Sequence, residues 1–302
     1  MNQQTGQPDP TAWTGGEVGE GIVCVVAANP SAMTLDGTNT WLLHRPGARE
    51  AVVVDPGPAQ EEHLQRVAAV AADRGLRVGL VLVTHGHHDH TDGLQRFADL
   101  VGAPVAFPGR DRAGAHSLDV DGLRVEAVPT PGHTHDSFCY YLPQAAALLT
   151  GDTILGRGTT VVTWPDGALA PYLRSLDELR ALAERERVRV VLPGHGAPVR
   201  EVLPLIDYYV THRHERLDQV RAVLVGRPVP PPSRASAEPE AVAQGGAQAP
   251  ESPARPGEPV DDELGRLVEH VVETVYVDAP RQVWPAARQS VRAQLEYLRE
   301  NP

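Results

Sequence analysis

A histidine-rich run at residues 85–90 limits what this chain can fold into more than any other feature. Five of its six side chains can bind a metal ion, and an apolar segment typical of a β-strand precedes it. Residues two apart in an extended chain project to the same side, so His85 and His87 can bind one ion. Asp89 and His90 then turn towards a second position beside it. The run therefore predicts a metal centre at the end of a strand, with ligands that suit zinc and also iron, manganese or cobalt.

Three later segments repeat the same local pattern and supply further ligands. Each is a short apolar strand followed by a proline or glycine and then by a ligand residue: His133, Asp152 and His195. Glycine beside a ligand lets the backbone approach a crowded ion, and proline restricts the angle at which the chain leaves the strand. The repetition of one pattern in this order indicates a shared metal centre.

The order of these motifs across residues 21–219 resembles the metallo-β-lactamase superfamily. The resemblance implies an α/β fold, a four-layer αβ/βα sandwich with two metal ions at one edge between its sheets. It also implies the ligands: His85, His87 and His133 for the first ion, Asp89, His90 and His195 for the second, and Asp152 as a bridge. A bridging aspartate is typical of the dinuclear hydrolases of the superfamily and is absent from its true lactamases.

Shorter motifs narrow the resemblance to the beta-lactamase-like protein 2 group. They lie at residues 29–41, 151–160, 172–176 and 212–216, and residues 262–299 are similar to the small winged-helix-like appendage of that group. The group includes single-strand endoribonucleases and, in fungal polyketide pathways, thioesterases that act on carrier-bound chains. The resemblance therefore implies hydrolysis and leaves two classes of substrate open.

Several other polar residues are assigned supporting roles. Asp55 ends a predicted strand and is expected to hydrogen-bond a ligand imidazole. His88 and His135 are expected to face solvent or to support the ligands. His212 and His214 lie two apart on a predicted helix, about 200° apart around its axis, and therefore cannot bind the same ion. We expect both to be surface or packing residues.

Composition and the family resemblance together divide the chain into four regions. They are a flexible N-terminus at 1–20, the metallo-β-lactamase domain at 21–226, a disordered linker at 227–260 and a winged-helix-like helical appendage at 261–302. The linker has nine prolines and almost no large apolar residue, so it cannot bury enough surface to offset its ordering entropy. The appendage has eight acidic residues against five arginines, the wrong balance for binding DNA. We therefore expect it to act as a lid or as a homodimer contact.

The composition also excludes several classes of function. The net charge is −12, which disfavours tight, non-specific binding to a phosphate backbone. All 27 basic residues are arginine, and the lack of lysine excludes Schiff-base and P-loop chemistry. Cys24 and Cys139 lie in apolar segments and are expected to be buried thiols. The sequence lacks a signal-like start and a run of about 20 apolar residues, which predicts a cytoplasmic protein without a membrane partner. The absence of lysine, with many alanines and prolines, favours a bacterial source.

Together these features predict a hydrolase with two zinc ions that share a hydroxide, iron or manganese being the alternative metals. Asp89 is the predicted catalytic residue, because a carboxylate oxygen could orient the hydroxide and accept its proton. The expected substrate is an ester or thioester, either a small molecule or carrier-bound. Cleavage of single-stranded RNA is one alternative, and a non-catalytic metal-binding protein is another. Arg157 could bind a substrate phosphate or carboxylate, or form a surface ion pair.

Overall fold

The computed structural model describes residues 12–108, 117–225, 229 and 263–301 of the chain. Within these residues, two β-sheets face each other. The strands of the first sheet are β1 Gly16–Gly19, β2 Ile22–Val26, β3 Asn39–Leu43, β4 Glu50–Val54, β5 Arg77–Leu82 and β6 Val105–Ala106, in that spatial order. Strands β1 to β4 pair antiparallel, while β4–β5 and β5–β6 pair parallel.

The second sheet is formed by the later strands. They are β7 Ser117–Val120, β8 Leu123–Pro129, β9 Phe138–Leu142, β10 Ala147–Gly151 and β11 Val190–Pro193, in the spatial order β11-β10-β9-β8-β7. The pairs from β7 to β10 are antiparallel, and β11 joins β10 in parallel after a helical crossover. Both sheets thus place the ends of β5 and of β10 and β11 at one edge of the molecule.

The strands are buried on both faces, as their nearly continuous apolar sequences require. Along β3, Trp41 and Leu43 point into the core between the sheets, while Leu42 points to the opposite face. The same alternation in β9 sends Tyr140 between the sheets and Cys139 outward. Period-two alternation of this kind lets one strand contribute to two apolar layers.

Helices cover the outer face of each sheet. Helices α1 Glu61–Asp73 and α3 Leu94–Val101 pack on the first sheet, with the single turn α2 His88–Thr91 before α3. Helices α4 Leu169–Glu186 and α5 Val202–Val223 pack on the second sheet. The order helix, sheet, sheet, helix confirms the predicted four-layer αβ/βα sandwich.

The C-terminal region adds two further helices to the α4 and α5 layer. Helix α6 spans Glu263–Val275 and α7 spans Trp284–Glu300. Their apolar faces share one buried cluster with α4 and α5, in which Val271, Val272, Val291 and Leu295 are inaccessible to solvent. The predicted appendage therefore packs firmly on the sandwich through an apolar face.

Some local expectations are corrected by the structure. Residues 16–19 form the edge strand β1, whereas the whole segment 1–20 was expected to be flexible, because β1 pairs with β2. The sequence predicts that Thr91 or Asp92 caps a short helix after the histidine-rich run. Helix α3 instead begins after Gly93 without a side-chain cap, so this prediction is wrong. Apart from Val229, the predicted linker at 227–260 lies outside the described residues.

The expectation for the two cysteines holds. Cys24 and Cys139 are free and buried, and burial raises the pKa of each thiol to about 12. Among the described helices, none combines the length and apolar character needed to span a membrane.

Candidate metal centre

The seven predicted ligands lie together at the edge where β5, β8, β10 and β11 end. Metal-binding side-chain atoms fall into two groups, and within each group they lie within 4.8 Å of one another. The first group is His85, His87, His133 and Asp152, and the second is Asp89, His90 and His195. The structure thus brings together residues up to 110 positions apart, in the grouping that the resemblance implies.

Three ring nitrogens converge in the first group. His87 Nδ1 lies 3.0 Å from His85 Nε2 and 3.1 Å from His133 Nε2. For ligands about 2.0–2.1 Å from a tetrahedral zinc ion, neighbouring nitrogens are roughly 3.4 Å apart. The observed separations are close to that value, so the three imidazoles suit one small cation.

Asp152 connects the two groups. Its Oδ2 lies 3.3 Å from His195 Nε2 and 3.8 Å from His133 Nε2, while its Oδ1 lies 3.5 Å from His90 Nε2. Asp89 Oδ2 lies 3.2 Å from His195 Nε2 and 3.4 Å from His90 Nε2. One carboxylate therefore faces both groups, which is the geometry of a bridging ligand.

Two buried atoms test whether these residues suit a metal. His90 Nε2 and Asp152 Oδ1 are buried and have no hydrogen-bond partner among the described residues. Buried polar atoms in proteins are nearly always hydrogen-bonded, and exceptions call for an explanation such as an ion. A cation between the imidazole nitrogen and the carboxylate oxygen would satisfy both. The donor set of five imidazoles and two carboxylates fits zinc, and also iron or manganese.

Electrostatics differ between the two groups. Burial disfavours a charged imidazolium in the first group, which lowers the pKa of His85 and His133 and brings that of His87 to about 4. Neutral imidazoles are the form that binds metal. The first group is therefore neutral in its histidines at physiological pH.

In the second group the carboxylates outweigh burial. Burial again disfavours charge on His90 and His195, but Asp89 and Asp152 hold the pKa of His90 well above its usual range. Asp152 likewise raises the pKa of His195 to about 9. These imidazoles in turn hold the pKa of Asp89 and Asp152 well below their usual range, despite burial. Both carboxylates are thus ionised at neutral pH, as metal ligands must be.

Hydrogen bonds behind the ligands orient the rings. His133 Nδ1 donates to the carbonyl of Val161 at 2.6 Å, and His195 Nδ1 donates to that of Gly37 at 3.1 Å. Because a carbonyl only accepts, each Nδ1 carries a proton, which leaves Nε2 as the ring nitrogen that faces the site. The rings are therefore held in the orientation that a metal ligand needs.

Asp55 and Thr84 perform the same task for His90 and His85, two of the other three histidines. Asp55 Oδ2 lies 2.9 Å from His90 Nδ1 and accepts a bond from the Thr84 hydroxyl at 2.7 Å. The Thr84 oxygen is thereby free to accept from His85 Nδ1, 3.0 Å away. The predicted support of a ligand imidazole by Asp55 is confirmed.

Gly194, directly before His195, lies against two of the predicted ligands. A Cβ atom at Gly194 would lie 2.4 Å from Asp152 Oδ1 and 2.9 Å from His90 Cε1. No side chain fits there without displacing the predicted ligands. The glycine before His195 is thus required by the close approach of the backbone to the centre.

Sequence reasoning missed several residues that support the centre. Thr38 donates to Asp89 Oδ2 at 3.0 Å, across 51 residues of chain. Asn39 ties the two sheets together, since its amide donates to the carbonyls of Pro193 at 2.9 Å and Gly196 at 2.8 Å. Both lie in a motif that the resemblance singles out, but only the fold shows what they contact.

The remaining candidates are placed outside the two groups. His88 and His135 are exposed and pair with Asp92 and Asp166, respectively. His212 is partly buried and contacts the Thr159 hydroxyl, so it is not simply a surface residue. Arg157 forms an ion pair with Asp36, its Nη2 lying 3.0 Å from Oδ1. Of the roles expected for Arg157, the structure supports the ion pair.

Helix α5 reaches the centre through Arg213. This buried guanidinium donates to the carbonyl of Thr160 and lies over the ring of Tyr172, 4.9 Å from its centroid. The next residue along the loop, Val161, carries the carbonyl that orients His133. Arg213 therefore holds the loop that positions a predicted ligand.

A cavity of about 260 Å³ opens beside the centre. His133 and Asp152 form one end, and residues of the 155–161 loop, α5 and the C-terminal helices form the walls. A substrate in this cavity would lie directly against the predicted ligands.

Comparisons with known families agree with this geometry. The model of the metallo-beta-lactamase superfamily matches residues 33–112 and 102–195. The model of the beta-lactamase associated winged helix domain matches residues 268–301, which include most of α6 and all of α7. The two matches correspond to the sandwich and to the helices packed on it.

Individual relatives are similar over most of the sandwich. An atrochrysone carboxyl ACP thioesterase of Aspergillus fumigatus is 34% identical over 213 residues, which cover 67% of this chain and 64% of that protein. The chain thus spans slightly less than two thirds of that relative. A beta-lactamase-like protein 2 homolog of Drosophila melanogaster is 28% identical over 302 residues, covering 92% of this chain and 87% of the relative.

A solved structure extends the likeness to the whole fold. The crystal structure of a metallo-beta-lactamase family protein from Thermus thermophilus matches with a TM-score of 0.65 and 22% identity, covering 94% of this chain and 95% of that one. At this identity the likeness shows the fold alone. With the family match and the ligand geometry, it establishes that the chain belongs to the metallo-β-lactamase superfamily.

Proposed function

We propose that this protein is a dinuclear zinc hydrolase that cleaves an ester or thioester. The observation that carries the proposal is the pair of ligand groups joined by one carboxylate, Asp152. Two buried atoms there, His90 Nε2 and Asp152 Oδ1, lack a hydrogen-bond partner among the described residues. His85, His87 and His133 would hold the first ion, and Asp89, His90 and His195 would hold the second. Iron or manganese would suit the same donors.

The bound ions would supply a hydroxide at neutral pH and polarise the substrate carbonyl. Asp89 is suited to orient the attacking water and accept its proton. Its side chain is 28% exposed, whereas those of His90 and His195 are almost fully buried, so it is the most accessible side chain of the second group. The hydrogen bond from Thr38 fixes one of its oxygens.

An acyl substrate is favoured over RNA by similarity and by charge. One relative is named as a thioesterase for an acyl carrier protein, and it is 34% identical. The net charge of −12 opposes the approach of a polyanion. Single-strand endoribonuclease activity is the alternative, and a cytoplasmic location, homodimer formation and an RNA partner remain predictions.

Metal content and hydrolysis should be measured together to test the proposal. We expect two zinc ions per chain by mass spectrometry, and turnover of a thioester followed by thiol release. His87→Ala should lose metal and turnover. His88→Ala is the matched control, because His88 neighbours it in the same loop but is exposed and paired with Asp92.

The same samples separate the alternatives. Cleavage of end-labelled single-stranded RNA by wild type and by His88→Ala, but not by His87→Ala, would replace the acyl substrate with RNA. RNA cleavage should weaken steeply as salt rises, whereas hydrolysis of a neutral thioester should not. Bound metal with neither activity would contradict both proposals.

A further inference from the structure

The cavity beside the metal centre has walls of two kinds. One wall is mainly polar and comes from residues 157–160 of the loop 155–161 and from His212 on α5. The other is apolar and consists of small or medium side chains from two distant parts of the sequence. They are Ala32, Met33 and Leu35 before β3, and Val283, Ala286 and Ala287 at the start of α7. A substrate group in the cavity would therefore contact the C-terminal helices directly.

The polar wall carries little free charge. Arg157 is engaged by Asp36, and Arg213 is engaged by the Thr160 carbonyl and the ring of Tyr172. Burial, together with the charges of Arg213 and Arg216, lowers the pKa of His212 to about 4, so this imidazole is neutral at pH 7. The wall thus offers hydrogen-bonding groups without a cation ready to bind a carboxylate or phosphate.

The apolar wall is held in place by α5. Arg216 donates to the carbonyl of Val275 at 2.9 Å, and its guanidinium lies 4.7 Å from the ring centroid of Tyr276, which lines the cavity. Trp284 anchors the start of α7 through a bond from its indole to the Ala279 carbonyl at 3.1 Å. These contacts hold the C-terminal helices against α5 beside the cavity.

The size of the cavity limits its occupant. Its volume of about 260 Å³ lies below the roughly 300–1,000 Å³ of pockets that hold drug-sized ligands. Ala286 and Ala287 leave room that larger side chains on the same face of α7 would fill. The part of a substrate that the cavity encloses is therefore smaller than a drug-sized molecule.

We propose that this cavity binds a compact, uncharged acyl group of the substrate, such as a single ring or a short branched chain, and that α7 sets its size limit. The inference rests on the proposed function, because it places the scissile carbonyl at the end of the cavity where His133 and Asp152 lie. It assigns the C-terminal helices a role in selecting the substrate.

The first test compares acyl groups in the zinc-loaded full chain. N-acetylcysteamine thioesters of acetic, benzoic and succinic acid serve as small, ring-bearing and anionic probes. Wild type should hydrolyse the benzoyl thioester with a higher kcat/KM than the acetyl, and the succinyl with the lowest. Succinyl preferred over benzoyl would overturn the proposal of an uncharged occupant.

The second test alters the wall. Ala286→Leu should lower kcat/KM for the benzoyl thioester by roughly 10- to 100-fold, mainly through KM, and leave the acetyl thioester nearly unchanged. Ala69→Leu makes the same change at an exposed position of α1 and should affect neither substrate. Equal effects of both variants, or no effect of Ala286→Leu on benzoyl, would overturn the role of α7.

A variant that enlarges the cavity and a binding measurement complete the test. Val283→Ala should enlarge the cavity and lower KM for a naphthoyl thioester, so the test does not depend on one variant that crowds the wall.

Calorimetric binding of S-phenacyl-N-acetylcysteamine, which cannot be hydrolysed, separates the two proposals. Binding weakened by Ala286→Leu without hydrolysis of any thioester would retain the cavity and reject the proposed function. Hydrolysis with the same selectivity in wild type and Ala286→Leu would retain the proposed function and reject the role of the cavity. Absence of both binding and hydrolysis would reject both proposals.

Discussion

The metal centre and the apolar wall formed in part by α7 border the same cavity, yet different interactions hold them in place. In the centre, ionised and neutral polar groups are buried together, and nearly every ligand ring is held by a hydrogen bond from behind. In the wall, apolar side chains are placed by helix packing, with Val291 and Leu295 in a fully buried cluster.

The difference predicts where substitutions are tolerated. A buried charge that loses its partner costs about 3–5 kcal/mol, so changes in the centre should abolish function. Apolar contacts are less directional, and a change of one or two methyl groups in the wall should alter which substrate is preferred. We therefore expect the centre to determine the class of reaction and the wall to determine the acyl group.

The largest effect is expected from Asp152→Asn, which removes the charge of the bridge and keeps its shape. Turnover should fall by more than about 100-fold, the upper limit for losing a mere supporting partner of a ligand. Thioester kinetics and metal content check this, with the exposed carboxylate variant Asp166→Asn as control. Near-native turnover with only one metal bound would contradict the assigned bridge.

An intermediate effect is expected from Arg213→Met. Zinc affinity, measured by competition with a chelator, should fall roughly 10- to 100-fold because the loop that orients His133 loses its anchor. Arg216→Met is a matched control, since Arg216 also lies on α5, donates to a carbonyl and covers a tyrosine ring. That variant should keep zinc affinity and instead raise KM for the benzoyl thioester.

Conservative replacement sharpens the contrast between these two arginines. Arg213→Lys should recover part of the zinc affinity, because an ammonium group can still donate to the Thr160 carbonyl. Equal zinc affinities for Arg213→Met and Arg216→Met would remove the distinction between the loop of the centre and the wall.

The smallest effect concerns a histidine buried away from the ligands. His63 lies under the first sheet, 2.9 Å from the Thr40 hydroxyl, and burial together with the Arg66 charge lowers its pKa to about 4. Because the unfolded chain takes up this proton near pH 6.5, the free energy of unfolding falls as pH drops below that value. Between pH 7 and pH 6 the contribution of His63 to the free energy of unfolding falls by about 0.7 kcal/mol.

Urea unfolding of wild type and His63→Gln at both pH values measures this contribution. The variant should lack that part of the pH dependence, because glutamine does not titrate, and circular dichroism should confirm that it folds. Identical pH dependence in the two proteins would mean that folding does not shift the pKa of His63.

Prediction from sequence succeeded where a signal is local. The sequence predicts a helix at about residues 61–73, because an apolar residue recurs every three or four positions between a glutamate-rich start and a glycine, and α1 has these bounds. The seven candidate ligands could be named because each follows a strand and a break, and the resemblance to a family placed them in two groups. The predicted cap of α3 is wrong, because the packing of Gly93 against Leu64 and the Gly57 carbonyl outweighed the preference of Thr91 and Asp92 for the cap position.

What the sequence alone determined is therefore the set of strands, the main helices and the types of ligand, since these depend on periodicity and on residues a few positions apart. Only the tertiary structure decided which groups support the ligands. Thr38 reaches Asp89 across 51 residues, and Arg213 reaches Thr160 across 53. The packing of α7 against the cavity was decided in the same way, because contacts between distant segments depend on how the layers meet and leave no pattern along the chain.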